Sequence, residues 1–170
     1  MTKSAHAPSV APAAAPLVDA WLAAAKDALR EVAATSLGLP DVSSSASSAA
    51  APVGLGGAYL QLMSEREVVV VGLCATEAAL RGLSAALLGF VDAELAHADV
   101  TDAVGEVANM LAGGVKRRLS AASPGLQLGL PVFIQGHLEP RERQALRVSE
   151  LRLSSDITVF VVVLHEARAS

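Results

Sequence analysis

The sequence is short of the residues that most often carry chemistry. Its one cysteine, Cys74, excludes an internal disulfide and any multi-cysteine metal site. Cys74 follows a run of valines and reads as a small buried hydrophobe. Aromatic residues are 3% of the chain although apolar residues are 52%, so the core must be built from Ala, Val and Leu. No run of 18 or more apolar residues is present, so no transmembrane helix is expected. Basic residues are not in excess: 13 Lys and Arg face 17 Asp and Glu, a net charge of −4. That balance argues against a nucleic-acid backbone as partner, which would favour a basic patch. A Gly-x-Ser-x-Gly elbow is missing. Gly54-Leu55-Gly56-Gly57 is not followed by Gly-Lys-Ser/Thr or by a helix. It therefore reads as a bulged strand or a close backbone approach rather than a phosphate loop. His165-Glu166 starts a His-Glu-x-x-His pattern, but Ala169 holds the second histidine's place, so zinc is unsupported. His6, His97, His137 and His165 are far apart and are expected at loops or element ends. Lys3 is followed by Ala-Pro repeats rather than an apolar h-region, and a cytoplasmic protein is expected.

A chain of 170 residues suits one domain with a real core. Residues 1–16, rich in Ala, Pro and Ser, read as a disordered tail, and residues 17–170 as a single domain. Residues 17–37 carry a helical stripe through Leu17, Trp21, Leu22, Ala25, Leu29 and Val32, with Gly38 placed to end it and Pro40 blocking continuation. Residues 41–52 read as a serine-rich loop. Residues 53–63 and 67–74 read as strands joined at Ser64-Glu65-Arg66, and residues 76–88 as a helix capped by Thr76 and closed by Gly89. After the helix at 102–119, residues 126–136 read as a strand. Pro131 inside it predicts a sheet edge or a bulge. Leu146 and Val148 share one phase of alternation, Leu151 and Leu153 the other, and a bulge near Ser149-Glu150 would reconcile them. Residues 157–164 read as a last buried strand. The fold class is α+β: an antiparallel or mixed sheet packed with helices, with a helix-strand-strand pseudo-repeat.

The most informative stretch is residues 102–119. On a helical wheel Val104, Val107, Ala108, Leu111, Val115 and Leu119 form an apolar stripe. Asp102, Glu106, Asn109 and Gly113 fall together on the opposite face. Asn is a mediocre helix former, and Gly costs about 1 kcal/mol against Ala in a helix interior. Gly105, Gly113 and Gly114 place three glycines in one helix. A segment that breaks local rules in this way often marks function. The inference is a helix whose outer face lets a partner approach closely. Two readings stay open for Asp102: a functional residue of that face, or an acid at N3 serving the helix dipole, with Asp99 as the cap. Lys116, Arg117 and Arg118 suit the C-terminal end of the dipole. Their other reading is contact with an acidic partner surface.

Asp102-x3-Glu106-x2-Asn109, with Pro131 further on, resembles the signature of the CheC/CheX/FliY phosphatases of bacterial chemotaxis. Gly-Glu-Val-Ala-Asn-Met-Leu-Ala-Gly is similar to the single-site CheX-type members. The 21 residues from Met110 to Leu130 are one fewer than the family spacing. The resemblance implies a CheC-like fold and hydrolysis of the aspartyl phosphate on a response-regulator receiver domain. It implies that Glu106 pairs with a receiver lysine and that Asn109 orients the attacking water. Asp102, Gly113 and Lys116 would then line the partner contact. No cofactor of the chain's own is implied; Mg2+ would belong to the receiver. It also implies a homodimer. Aligning Asp19 with Asp102 puts Ala23 on Glu106 and Lys26 on Asn109, in keeping with one site. The alternative reading is a non-catalytic module of the same fold that binds a receiver.

Overall fold

The computed structural model describes residues 15–50, 52–90, 94–136 and 139–168. Elements follow in the order α1 (Ala15–Ser36), β1 (Ser43–Ser48), β2 (Leu55–Met63), β3 (Glu67–Ala75), α2 (Glu77–Leu88), α3 (His97–Leu119), β4 (Gln127–Leu128), β5 (Val132–Gly136), β6 (Gln144–Arg152) and β7 (Thr158–Ala167). Most of the expected tail, residues 1–14, lies outside the described residues, and α1 begins at Ala15.

The strands form one antiparallel sheet in the order β1-β6-β7-β3-β2-β4, with β5 also paired to β2. With β5 in β4's place beside β2, exchange β1 with β5, β2 with β6 and β3 with β7, and the order reads the same backwards. The sheet is therefore pseudo-two-fold, with its axis between β3 and β7. The halves interlock, because α1 packs on β6 and β7 while α3 packs on β2 and β3. The helix-strand-strand repeat is thus a helix followed by three strands, twice, with α2 between, when β4 and β5, which share β2 as partner, count as one interrupted strand.

That match needs β1, where the serine-rich sequence predicts a loop. Ser43–Ser48 pairs with β6 at the sheet edge, and all six residues are exposed. The bulge expected at Ser149-Glu150 is absent: β6 pairs with β7 without a register shift. The irregularity is on β1, between Ser44 and Ser47. Both alternation phases of β6 are apolar because both sheet faces are covered. Ala145, Leu151 and Leu153 join the core under the helices, and Leu146 and Val148 pack with Tyr59, Cys74 and Val162 on the other side. There Ser48, Ala50 and Pro52 line a hollow with Val148, Glu150 and Phe160, so the chain leaving β1 shields that face.

Gly54 to Gly57 do not bulge β2, whose ladder with β3 is continuous. The close-approach reading holds. A Cβ on Gly57 would lie 2.6 Å from Cys74 Cα, and one on Gly72 would lie 2.4 Å from the Tyr59 ring. Burial raises the pKa of the Cys74 thiol, consistent with a packing role. Pro131 does sit at a bulge. β4 and β5 share β2 as partner, but their registers differ by one residue, with residues 129–131 between them.

α2 has the expected ends. Thr76 Oγ1 accepts from Ala79 N at 3.3 Å, and Gly89, at φ 71°, donates from its N–H to Ala85 O at 2.9 Å. The histidine expectation fails at His165, which lies inside β7 and is 1% exposed. Its Nε2 is 2.8 Å from Glu67 Oε2, while Ser123 Oγ donates to Glu67 Oε1 at 2.5 Å. One buried carboxylate thus ties β3 to β7 and to the turn after α3. His6 and His137 lie outside the described residues.

Removing that carboxylate leaves two buried polar groups unpaired. Glu67→Ala should lower stability by about 3 kcal/mol. Urea unfolding followed by circular dichroism measures the loss; a change under 1 kcal/mol would contradict the network's structural role.

Candidate active site

α3 is held on every side but one. Its inner stripe, including Val104, Val107, Ala108, Leu111 and Val115, is 0–1% exposed. Gly114 crosses α1 so closely that a Cβ there would lie 2.7 Å from Ala28 Cβ. Just beyond, Arg117 and Arg118 reach across to Glu31 of α1, at 3.2 Å and 2.6 Å. The Arg118 hydrogen bond is the main cause holding the Glu31 carboxyl below its usual pKa. The basic cluster therefore divides: Arg117 and Arg118 tie α3 to α1, which neither sequence reading had named. Lys116 is half-buried on the same side as Asn109.

The start of α3 also corrects the reading of Asp102. Ala96 is the N-cap, and Asp99, at N3, accepts from Ala96 N at 2.8 Å. Asp102 lies three residues further in, past the turn where an acid best serves the helix dipole. It is exposed, one turn before Glu106.

Asp102, Glu106, Asn109, Gly113 and Lys116 therefore share the outward face of α3. Glu106 is exposed and Asn109 half-buried. Among the described residues neither side chain has a hydrogen bond or an ion pair. Pro131 borders this face, since a Cβ on Gly105 would meet its ring at 3.9 Å.

The three helix glycines now separate by cause. Gly114 is required by Ala28. Gly105 faces Pro131 at an ordinary contact distance. Gly113 has nothing within 4 Å of a Cβ, so the fold does not require it. A glycine unexplained from inside, one turn after Asn109, leaves room for a surface outside. Chemically, the face offers a carboxylate that can bind a cation and an amide that can both donate and accept hydrogen bonds.

The fold and this face together define a protein of the CheC-like class, with an acid–amide pair displayed on a buried-backed helix. The family described as chemotaxis phosphatase CheX matches residues 60–149, more than half of the chain and all of α3. The chain belongs to this chemotaxis phosphatase family. Solved structures agree on the fold. The chemotaxis protein CheX from Vibrio vulnificus is 18% identical with a TM-score of 0.74, over 86% of this chain and 99% of its own. A CheC-like superfamily protein from Shewanella sp. PV-4 is 16% identical with a TM-score of 0.74, over 86% and 97%. A CheX–CheY–BeF3–Mg2+ complex from Borrelia burgdorferi contains a chain 16% identical with a TM-score of 0.64, over 89% and 97%. No curated protein matches the chain.

Adjacent glycines make a sharp test of the geometry. Gly113→Leu should fold at least as stably as the parent, because it replaces a poor helix former in open space; the gain should be up to about 1 kcal/mol. Gly114→Leu should lose more than about 3 kcal/mol, because its side chain meets α1. Thermal melts of the two variants decide this, and equal losses would contradict the assignment of faces.

Proposed function

We propose that this phosphatase hydrolyses the aspartyl phosphate of a receiver domain through Glu106 and Asn109. One observation carries the proposal: the two side chains stand on successive turns of the outward face of α3, unpaired within the described residues. An acyl phosphate is already reactive. Its hydrolysis needs a water in line with the phosphorus and a setting that tolerates the developing charge. An amide is no strong base, but Asn109 can fix a water by donating to it and accepting from it. Glu106 lies about 4.5 Å back along the helix. From there it can pair with a cationic side chain beside the phosphate and so set the register of the approach. Asp102, Gly113 and Lys116 flank the pair and would contact the receiver. Mg2+ would be carried by the receiver, and this chain's part is to orient the water. Such a substrate places the work in the cytoplasm.

Radiolabelled phosphate decay on a receiver tests the assignment. Asn109→Ala should lose acceleration, by about 100-fold or more if water orientation contributes as general positioning does. It should remain folded, with a stability change near 0.5 kcal/mol or less, as for a surface substitution. Glu106→Ala should lose both binding and turnover. Gly113→Leu, though folded, should block turnover by holding the receiver off. A folded Asn109→Ala protein as fast as the parent would rule out the mechanism in favour of a binding module.

We also propose a symmetric homodimer formed edge to edge. What supports it is β1, an exposed edge strand of small residues whose outer side has no partner strand among the described residues. Sedimentation at micromolar concentration should report twice the chain mass, and a monomer would count against it.

A further inference from the structure

The edge of the sheet beside α3 displays apolar side chains that the fold does not use. Of the eight large hydrophobic residues left exposed among the described residues, Leu128, Leu130 and Val132 lie on this edge, and Met63 of β2 pairs with Gln127 beside it. Leu130, in the bulge, is 85% exposed, and Leu128 is 41% exposed. Leu128 pairs directly with Leu62, and directly paired residues of antiparallel strands share a face. Leu62 belongs to the core under the helices, so Leu128 lies on the helix side. Val132 pairs with Tyr59 and lies on the other side.

The level of this edge along α3 follows from two contacts. His97 and Val100 share a cavity of about 330 Å³ with Phe133 and Gln135. A Cβ on Gly105 would come within 3.9 Å of the Pro131 ring. Moving up the helix therefore moves back along the edge strand. The spans agree, at about 12 Å for eight helical residues and about 13 Å for four strand residues. Continuing by the same steps, Asn109 comes level with about residue 129 and Gly113 with about Gln127, so Leu128 and Leu130 lie beside the turn that carries Asn109.

We propose that Leu128 and Leu130 form a docking lip for the phosphorylated receiver, continuous with the Glu106–Asn109 face; this rests on the function proposed above. Two features favour a receiver over a second copy of this chain. The lip is joined to the reactive face through Pro131, so a permanent partner there would cover Asn109. An exposed apolar area of two leucines also suits a partner that must leave after each turnover, whereas stable dimers need larger interfaces. The lip supplies apolar contact, and the helix supplies the register and the water.

The test is calorimetric titration of the full chain with a receiver held in its active form by Mg2+ and BeF3, alongside turnover on the phosphorylated receiver. The double variant Leu128→Ser/Leu130→Ser should weaken Kd and raise KM by about tenfold, the scale expected for losing part of two leucine burials. The change in kcat should be much smaller than the change in KM. Leu17→Ser, an exposed leucine on α1, should leave Kd unchanged. An unchanged Kd for the lip variant would overturn the proposal. So would loss of dimerisation with Kd unchanged, which would assign the lip to a second copy. If Asn109→Ala retains turnover, the catalytic assignment fails alone, and the Kd comparison still decides the lip.

Discussion

The structure depends on the ladder between β3 and β7. Eight residue pairs, from Glu67 with Ala167 to Cys74 with Phe160, join the two halves of the chain at the centre of the sheet. α1 and α3 each lie mainly on the other half's strands, so neither half can bury its own long helix alone. Strands buried on both faces need near-continuous apolar sequence, and the valines at 68–71 and 161–163 meet that need. The polar exception is placed where the ladder ends. Glu67 binds His165 there and accepts from Ser123, which fixes the turn that releases the chain from α3.

From that frame the position of α3 is over-determined. Its inner stripe faces the sheet, Gly114 admits α1, Glu31 takes two arginines, Asp99 closes the N-terminus and Pro131 abuts Gly105. A helix so constrained keeps its orientation without help from its outer face. That face can then carry an amide and a glycine that helix propensity disfavours. Their combined cost is about 1–2 kcal/mol against alanine, small beside the burial of the stripe. A displayed pair also gains from rigid backing, because side chains on a fixed helix keep their spacing.

What the sequence disclosed follows from which signals are local. The α3 stripe, the Thr76 and Gly89 ends of α2, the β2–β3 connection and the outward grouping of Glu106 and Asn109 all come from periodicity or capping chemistry within a few residues. The features that the sequence leaves open or misassigns depend mostly on partners far away in the chain. Ser43–Ser48 has neither alternation nor bulk, and becomes a strand only because β6 presents an edge. The two phases of β6 imitate a bulge because the sheet is covered on both sides. Asp102 resembles a capping acid until the helix is seen to start at His97, which moves that role to Asp99. Arg117 and Arg118 match the helix dipole by position, while their contact, Glu31, is more than 80 residues away.

The pseudo-two-fold also shows how one of two related helices can display an acid–amide pair that the other lacks. In α1, Ala23 and Lys26 align with Glu106 and Asn109. Asp19, aligned with Asp102, is held by Arg147 of β6 at 2.7 Å, and Glu31 is engaged by the arginines of α3. The polar groups of α1 thus hold the domain together, whereas Glu106 and Asn109 on α3 have no bond within the described residues. The asymmetry is a division of labour: α1 spends its charges on contacts to α3 and β6, and α3, fixed by those contacts, presents its acid and amide outward.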